Sequence, residues 1–167
     1  MELNAVIASR RSIRKYKPTP VENEVLEQIL EAGRAAPTAR NDQDWYCAVV
    51  RNPGILSEMG TACCKQQWVG EAPAILVLCG TNNREMNCGQ YTNPVDCSIV
   101  LTHMILKAAE LGLGTCWLGA FEADQVRALL NIPETDTIVA VTPLGYADDV
   151  PQPRPRKDLN LFVRYID

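Results

Sequence analysis

The stretch that most constrains this chain runs from Asp96 to Leu111 and reads as a helix with almost no polar face. Ile99, Val100, Leu101, Met104, Ile105, Leu106, Ala108 and Leu111 fall on all of its sides, and only Lys107 and Glu110 add charge beyond its start. A helix that is apolar all round has to be covered all round. The chain has 167 residues, enough for one domain with a substantial core. One domain of that size covers one side of such a helix, and the other side calls for a partner subunit. Asp96 has the side chain of an N-cap, and Gly112, Leu113 and Gly114 supply the stop.

The segments around this helix alternate in type. Residues 2–9 predict a short helix, and Lys17, Pro18, Thr19 and Pro20 break it. Over residues 21–35, Val25, Leu26, Ile29, Leu30 and Ala32 recur between Glu22, Glu24, Glu27, Gln28 and Glu31, the i, i+3, i+4 pattern of an amphipathic helix. Residues 38–44 form a polar loop. Residues 45–50 and 74–79 are apolar runs of strand length, with a helix over 55–67 between them, weakened by Gly60. Residues 80–94 are rich in Asn and lack periodicity, which predicts a long loop. Two further strands are expected over 115–121 and 137–141, the second running on to Gly145 and Tyr146, with a short helix over 123–130 between them. Past Asp149, Pro151, Pro153 and Pro155 alternate with Gln152, Arg154 and Arg156, which makes the tail extended. Phe162, Val163 and Tyr165 have the residue types of an added edge strand. No repeat or linker divides the chain, so residues 1–167 are expected to form a single α+β domain with a mixed central sheet flanked by helices.

Chemistry concentrates at the two ends. Arg10, Arg11, Ser12 and Arg14 lie within five residues, and Arg154 and Arg156 stand near the C-terminus. A guanidinium presents its donors in a rigid fork that fits phosphate bidentately. Taken alone, the arginines also read as a solvated patch or a nucleic-acid contact. The formal net charge of −4 argues against a general polyanion binder. No run of about 18 apolar residues predicts a membrane span, and the N-terminal residues lack a signal-peptide pattern, so a cytoplasmic protein is expected. The seven cysteines and single histidine include no CxxC and no recognisable metal-ligand spacing. Cys47, Cys79 and Cys116 sit in apolar runs and read as core, while Cys63, Cys64 and Cys88 lie in more polar, oxidisable surroundings. His103, Trp45 and Trp117 are expected to pack in the core.

Four motifs, in this order, resemble those of the FMN-dependent nitroreductases: RRSIRKY at residues 10–16, AAPTARNDQDW at 35–45, the apolar helix followed by GLGTCWLG at 112–119, and PLGYADDVPQPRPRKDL at 143–159. The resemblance covers nearly the whole chain. It implies a nitroreductase-like fold and a homodimer with the long apolar helix at the interface and FMN bound between the subunits. Arg10, Ser12, Arg154 and Arg156 would bind the FMN phosphate, with Arg11 near the phosphate or ribityl chain. Arg14 would reach the pyrimidine edge of the isoalloxazine, and Asn41 would lie at the ring. Leu118, Gly119 and Ala120 would pack against the ring with a backbone N–H near N5. Arg14 and Gly119 are thus the residues expected to bear on catalysis.

The implied activity takes hydride from NADH or NADPH and reduces a nitroaromatic, quinone or similar small-molecule acceptor by a ping-pong mechanism, with no nucleic-acid or membrane partner. A cation at the N1/O2 edge would favour the reduced, negatively charged ring. Two other readings stand beside it. One is a related flavoprotein reducing flavins or enones, dehalogenating, or cleaving flavin; the other is a non-enzymatic module using the arginines alone. Asp44 departs from the family loop N-x-Q-P-W, where a proline stands, and the family's cofactor-covering excursion is shortened to residues 81–94. No dinucleotide fingerprint is present to choose between NADH and NADPH.

Overall fold

The computed structural model describes residues 2–166. Its elements in chain order are α1 (Leu3–Ser9), α2 (Asn23–Arg34), β1 (Trp45–Val50), α3 (Pro53–Ala62), α4 (Gln67–Gly70), β2 (Ala74–Gly80), α5 (Thr92–Glu110), β3 (Leu113–Thr115), α6 (Ala123–Leu130) and β4 (Thr137–Tyr146). Asn52 caps α3 through its side-chain oxygen, which accepts from the Gly54 and Ile55 N–H groups, and Pro53 occupies the first helical position. The expected helix over 55–67 is therefore two pieces, split where Cys64 and Lys65 turn into left-handed conformations.

The strands lie in the order β1-β2-β4-β3, and all three pairings are antiparallel. A parallel bridge between Ser12 and Thr115 at the β3 end is what makes the sheet mixed. Every residue of β2 is buried. Its alternation divides the core: Ala74, Leu76 and Leu78 face α2 and α5, whereas Ile75, Val77 and Cys79 face the α3 and α6 side. In β4 a register shift opposite Leu78 and Cys79 leaves Val139 as an extra residue, a bulge that lets Ala140 and Ile138 serve opposite faces.

α5 lies across one face of the sheet, with Cys97, Val100, Leu101, Met104, Ile105 and Ala108 buried. α2 packs closely on it, and a Cβ added at Gly33 would collide with the Met104 side chain. Asp96 is not the N-cap of this helix. The helix begins upstream, at Thr92, because loop groups satisfy its first N–H groups: Thr92 donates to the Arg84 carbonyl at 2.9 Å and Asn93 to Asn83 Oδ1 at 3.2 Å. The expected long loop is correspondingly shorter. The far side of α5 keeps Pro94, Val95, Ser98, Ile99, Thr102, His103 and Leu106 wholly or partly accessible, so His103 is half-buried rather than a core residue.

The tail past Val150 is extended, but it adds no edge strand. Residues Leu159–Leu161 make a single 3-10 turn, and Phe162, Val163 and Tyr165 project without a strand to pair with. Cys63 is fully buried, joining the core rather than the polar surroundings expected for it, and only Cys64 and Cys88 are exposed. Burial pushes the Cys63 thiol up to about 11 and the Cys47 and Cys97 thiols up to about 12. No helix of the described residues is long and apolar enough to cross a membrane.

Residues 12–17 are joined to the sheet by main-chain bonds from Ile13 to the Thr115 carbonyl (2.9 Å) and from Lys17 to the Tyr146 carbonyl (2.8 Å). Gly114 permits this approach, since a Cβ there would lie 2.5 Å from Ile13 Cγ1 and 2.7 Å from its Cβ. Gly114→Ala is expected to lower unfolding stability by about 1–3 kcal/mol through overpacking. Adding Ile13→Ala should recover part of that loss relative to the sum of the single changes, as read by urea denaturation of the four proteins.

Candidate functional site

The pairing of residues 12–17 with the sheet end directs the N-terminal arginines. Ile13 points inward and is 4% exposed, so its neighbours Ser12 and Arg14 point away from the core. Residues 151–156 run past the same place. Arg10, Arg11, Arg14, Arg154 and Arg156 consequently line one cleft of about 410 Å3, with Ser12 among them and no carboxylate. The two ends of the sequence thus meet. Arg11 is partly committed, because its Nη1 donates to the Ala8 carbonyl at 2.7 Å and the Arg10 carbonyl at 2.9 Å, closing the end of α1.

A second cleft of about 360 Å3 shares Arg10 and Ser12 and is completed by Thr102, Ile105, Leu106, Thr115 and Trp117. Trp117 is 44% exposed and not in the core. The reason is alternation: Cys116 and Leu118 turn into the core beneath β4, which sends the residue between them outward. Trp45 is half-buried against the core.

The segment from 118 to 120 is anchored at its start. Leu118 donates to the Val141 carbonyl at 3.0 Å and accepts from the Val141 N–H at 3.1 Å, so its own N–H is taken. Gly119 and Ala120 are exposed, and the Gly119 N–H has no partner among the described residues. Arg14 has no carboxylate partner there either. Its guanidinium lies over the Trp68 ring, 5.8 Å from the centroid, and Nη1 is 3.4 Å from the Ser12 carbonyl.

Asn41 lines neither cleft. It is exposed at the end of the 3-10 turn Ala39–Asn41, in a loop where Arg40 (φ 55°), Asn41 (φ 59°) and Gln43 (φ 58°) are all left-handed. Such conformations persist only where surrounding contacts impose them. Here the buried Asp96 carboxylate accepts from the Ala39 N–H at 3.1 and 3.2 Å, and Thr38 Oγ1 accepts from the Gln43 N–H at 3.2 Å. On the other side Arg84 pairs with Asp42 at 2.9 Å and Asn82 donates to Asp44 at 3.1 Å. Asp44 therefore tethers this loop to the 81–91 segment. Sequence reasoning missed three residues: Trp68 beneath Arg14, Gln66, whose Nε2 reaches the Ala120 carbonyl at 3.4 Å, and Asp96 as a loop anchor. The signal for Trp68 was a lone tryptophan in a polar stretch just before β2. Nothing in the sequence marked Gln66.

The family model for the nitroreductase family matches residues 7–90 and 61–146, which together span most of the chain. A Methanothermobacter thermautotrophicus protein provisionally named NADH dehydrogenase/NAD(P)H nitroreductase is 33% identical over 92% of this chain and 82% of its own. The NADH dehydrogenase of Thermus thermophilus is 30% identical over 98% of this chain and 95% of its own. Among solved structures, NADPH:FMN oxidoreductase from Vibrio harveyi in complex with NAD+ superimposes with a TM-score of 0.90 at 25% identity, covering 99% of this chain and 77% of that one. The family model spans most of the chain and a relative 33% identical is covered over 82% of its length, and on that ground the chain belongs to the nitroreductase family.

Proposed function

We propose that this chain is an FMN-dependent oxidoreductase that takes hydride from NADH or NADPH and delivers it to a nitroaromatic, quinone or similar small acceptor. The observation that carries the reading is the cleft of five guanidiniums with no carboxylate. Like charges held this close, with no acid among the lining residues, are stabilised by a multivalent anion. Guanidiniums for a phosphate monoester, an unpartnered backbone N–H at Gly119 and an arginine without a carboxylate partner make up the donor set that FMN requires. The names of relatives support the same cofactor and reductant, including the FMN reductase [NAD(P)H] of Bacillus subtilis and the NADPH-flavin oxidoreductase of Vibrio harveyi.

In this reading Arg10, Ser12, Arg154 and Arg156 hold the phosphate, and Arg11 lines the cleft beside them while closing α1. Bound there, FMN supplies hydride acceptance from the nicotinamide and hydride release to the acceptor. Arg14 offers positive charge to the pyrimidine edge, where negative charge arrives with the two electrons. The free Gly119 N–H would be offered to N5, and the main chain of residues 118–120, fixed by the pair of bonds between Leu118 and Val141, would back the ring while the Leu118 side chain stays in the core. Free flavin as the acceptor is the second reading, favoured by the two flavin-reducing relatives. An acceptor panel on the purified protein separates the two.

A homodimer completes the site. The uncovered strip of α5 and the exposed Leu159, Leu161, Phe162 and Tyr165 are apolar surface suited to a second copy. Asn41, absent from both arginine clefts of its own chain, is available to the FMN of the partner subunit.

The first test is affinity. Arg10→Ala and Arg156→Ala should each weaken FMN binding ten- to a hundredfold, the loss of a charge-assisted bond of roughly 1.5–3 kcal/mol. Unchanged affinity in both would remove FMN from the cleft. Light scattering of the FMN-loaded protein at micromolar concentration should give twice the chain mass, and a monomer would refute the shared site. With one open ring face, reductant and acceptor must take turns. Double-reciprocal plots at several acceptor concentrations should then be parallel, and stopped flow should show the flavin bleached by NAD(P)H alone. Intersecting lines would indicate separate sites.

A further inference from the structure

The turn between α3 and α4 has no role in the reading above, yet it touches both groups assigned to the ring. From one end of it, Trp68 lies beneath the Arg14 guanidinium at 5.8 Å. That indole is itself fixed, packed against Ile13, Tyr16 and Ala72 on one side and against the α3 and α6 core on the other. Arg14 is exposed and has no carboxylate to orient it among the described residues, so the indole face is the main contact that sets its direction. From the other end, Gln66 Nε2 donates to the Cys63 carbonyl at 3.0 Å and to the Ala120 carbonyl at 3.4 Å. The Glu122 N–H, just beyond, donates to the Ala62 carbonyl at 2.8 Å. Residues 119–121 are thus suspended between the Leu118–Val141 pair and this turn. The turn is built from two consecutive left-handed non-glycine residues, Cys64 (φ 54°) and Lys65 (φ 58°). Strained backbone of this kind is retained where the surrounding contacts over-determine it.

We propose that the turn of residues 63–68 is a positioning element for the flavin ring: Trp68 aims Arg14 and Gln66 holds the Gly119–Ala120 segment, so that together they set the two-electron potential. This rests on the proposed seating of FMN, with Arg14 at the pyrimidine edge and the Gly119 N–H at N5. The two residues act with opposite sign. A guanidinium held at the pyrimidine edge stabilises the reduced, negative ring, so freeing it lowers the potential. A backbone N–H aimed at N5 pairs with the unprotonated nitrogen of the oxidised ring and not with the N–H of the reduced one, so loosening it raises the potential.

The test is the midpoint potential of the FMN-loaded protein by dye equilibration, with FMN affinity measured in parallel. Trp68→Leu should weaken the preference for reduced over oxidised FMN by roughly two- to tenfold, tenfold being about 30 mV lower in a two-electron couple. Trp68→Phe should fall between wild type and Trp68→Leu. Arg14→Ala combined with Trp68→Leu should match Arg14→Ala alone, because the indole acts through the arginine. Gln66→Leu should shift the potential upward, and combined with Arg14→Ala it should offset that variant's downward shift by the same amount as it shows alone. Where Trp68→Leu fails to fold, Trp68→Phe and Gln66→Leu carry the measurement. A shift in Arg14→Ala with none in the Trp68 and Gln66 variants overturns the positioning role while leaving FMN where proposed. No shift in Arg14→Ala overturns the seating of the ring, and the positioning role with it.

Discussion

The contact on which the rest of this molecule depends is the main-chain docking of residues 12–17 against the end of the sheet. Thr115 and Tyr146 supply carbonyls to Ile13 and Lys17, and Asp148 returns an N–H to Lys15. These bonds convert a flexible N-terminal stretch into an extra strand-like edge. Once Ile13 is buried against Gly114, the direction of its neighbours follows from strand alternation. Arg14 leaves the chain on the side away from the core, and it lines the same cleft as Arg10, so their charges accumulate at one place. A main-chain arrangement with no chemistry of its own thus creates the electrostatic feature that defines the site.

The second organising element is α5, which has two demands on it. Its inner side closes the core over β2 and β4. Its first turns also serve the loops: Asp96 steadies the Asn41 loop, and Thr92 and Asn93 receive the 82–84 segment. Core packing and loop geometry are therefore coupled through one rigid body. A substitution in the core that displaced this helix would carry the Asn41 loop with it.

Much of this was legible in the sequence because the strongest signals are periodic. The apolar run of β2, the amphipathic spacing of α2 and the length of α5 all announce themselves, and the arginine motifs point to an anion. What the sequence hid were features decided by competition between local and tertiary forces. Asp96 has N-cap chemistry, but loop carbonyls and amides reached the helix start first. The 115–121 run looks like one strand, yet it leaves the sheet after Thr115 and returns only at the single Leu118–Val141 bridge. The 55–67 helix pattern ignored the left-handed residues that break it. Phe162 and Tyr165 have strand propensity, but propensity cannot create an edge to pair with. Contacts such as Arg14 on Trp68 join residues far apart in sequence, and no window-based pattern contains them.

The placement of Arg154 and Arg156 has a consequence for how the protein survives in a cell. They sit on an exposed, proline-rich segment that contributes little to the core, whereas Arg10 and Ser12 belong to the sheet-docked edge. A ligand bridging the two holds the segment to the body of the protein. Any ligand that prefers the closed arrangement stabilises it by mass action, by about 2.7 kcal/mol at a hundredfold excess over its dissociation constant. If FMN is that ligand, as proposed, flavin supply and protease resistance become linked quantities, and cofactor starvation is read out as turnover of the chain as well as loss of colour.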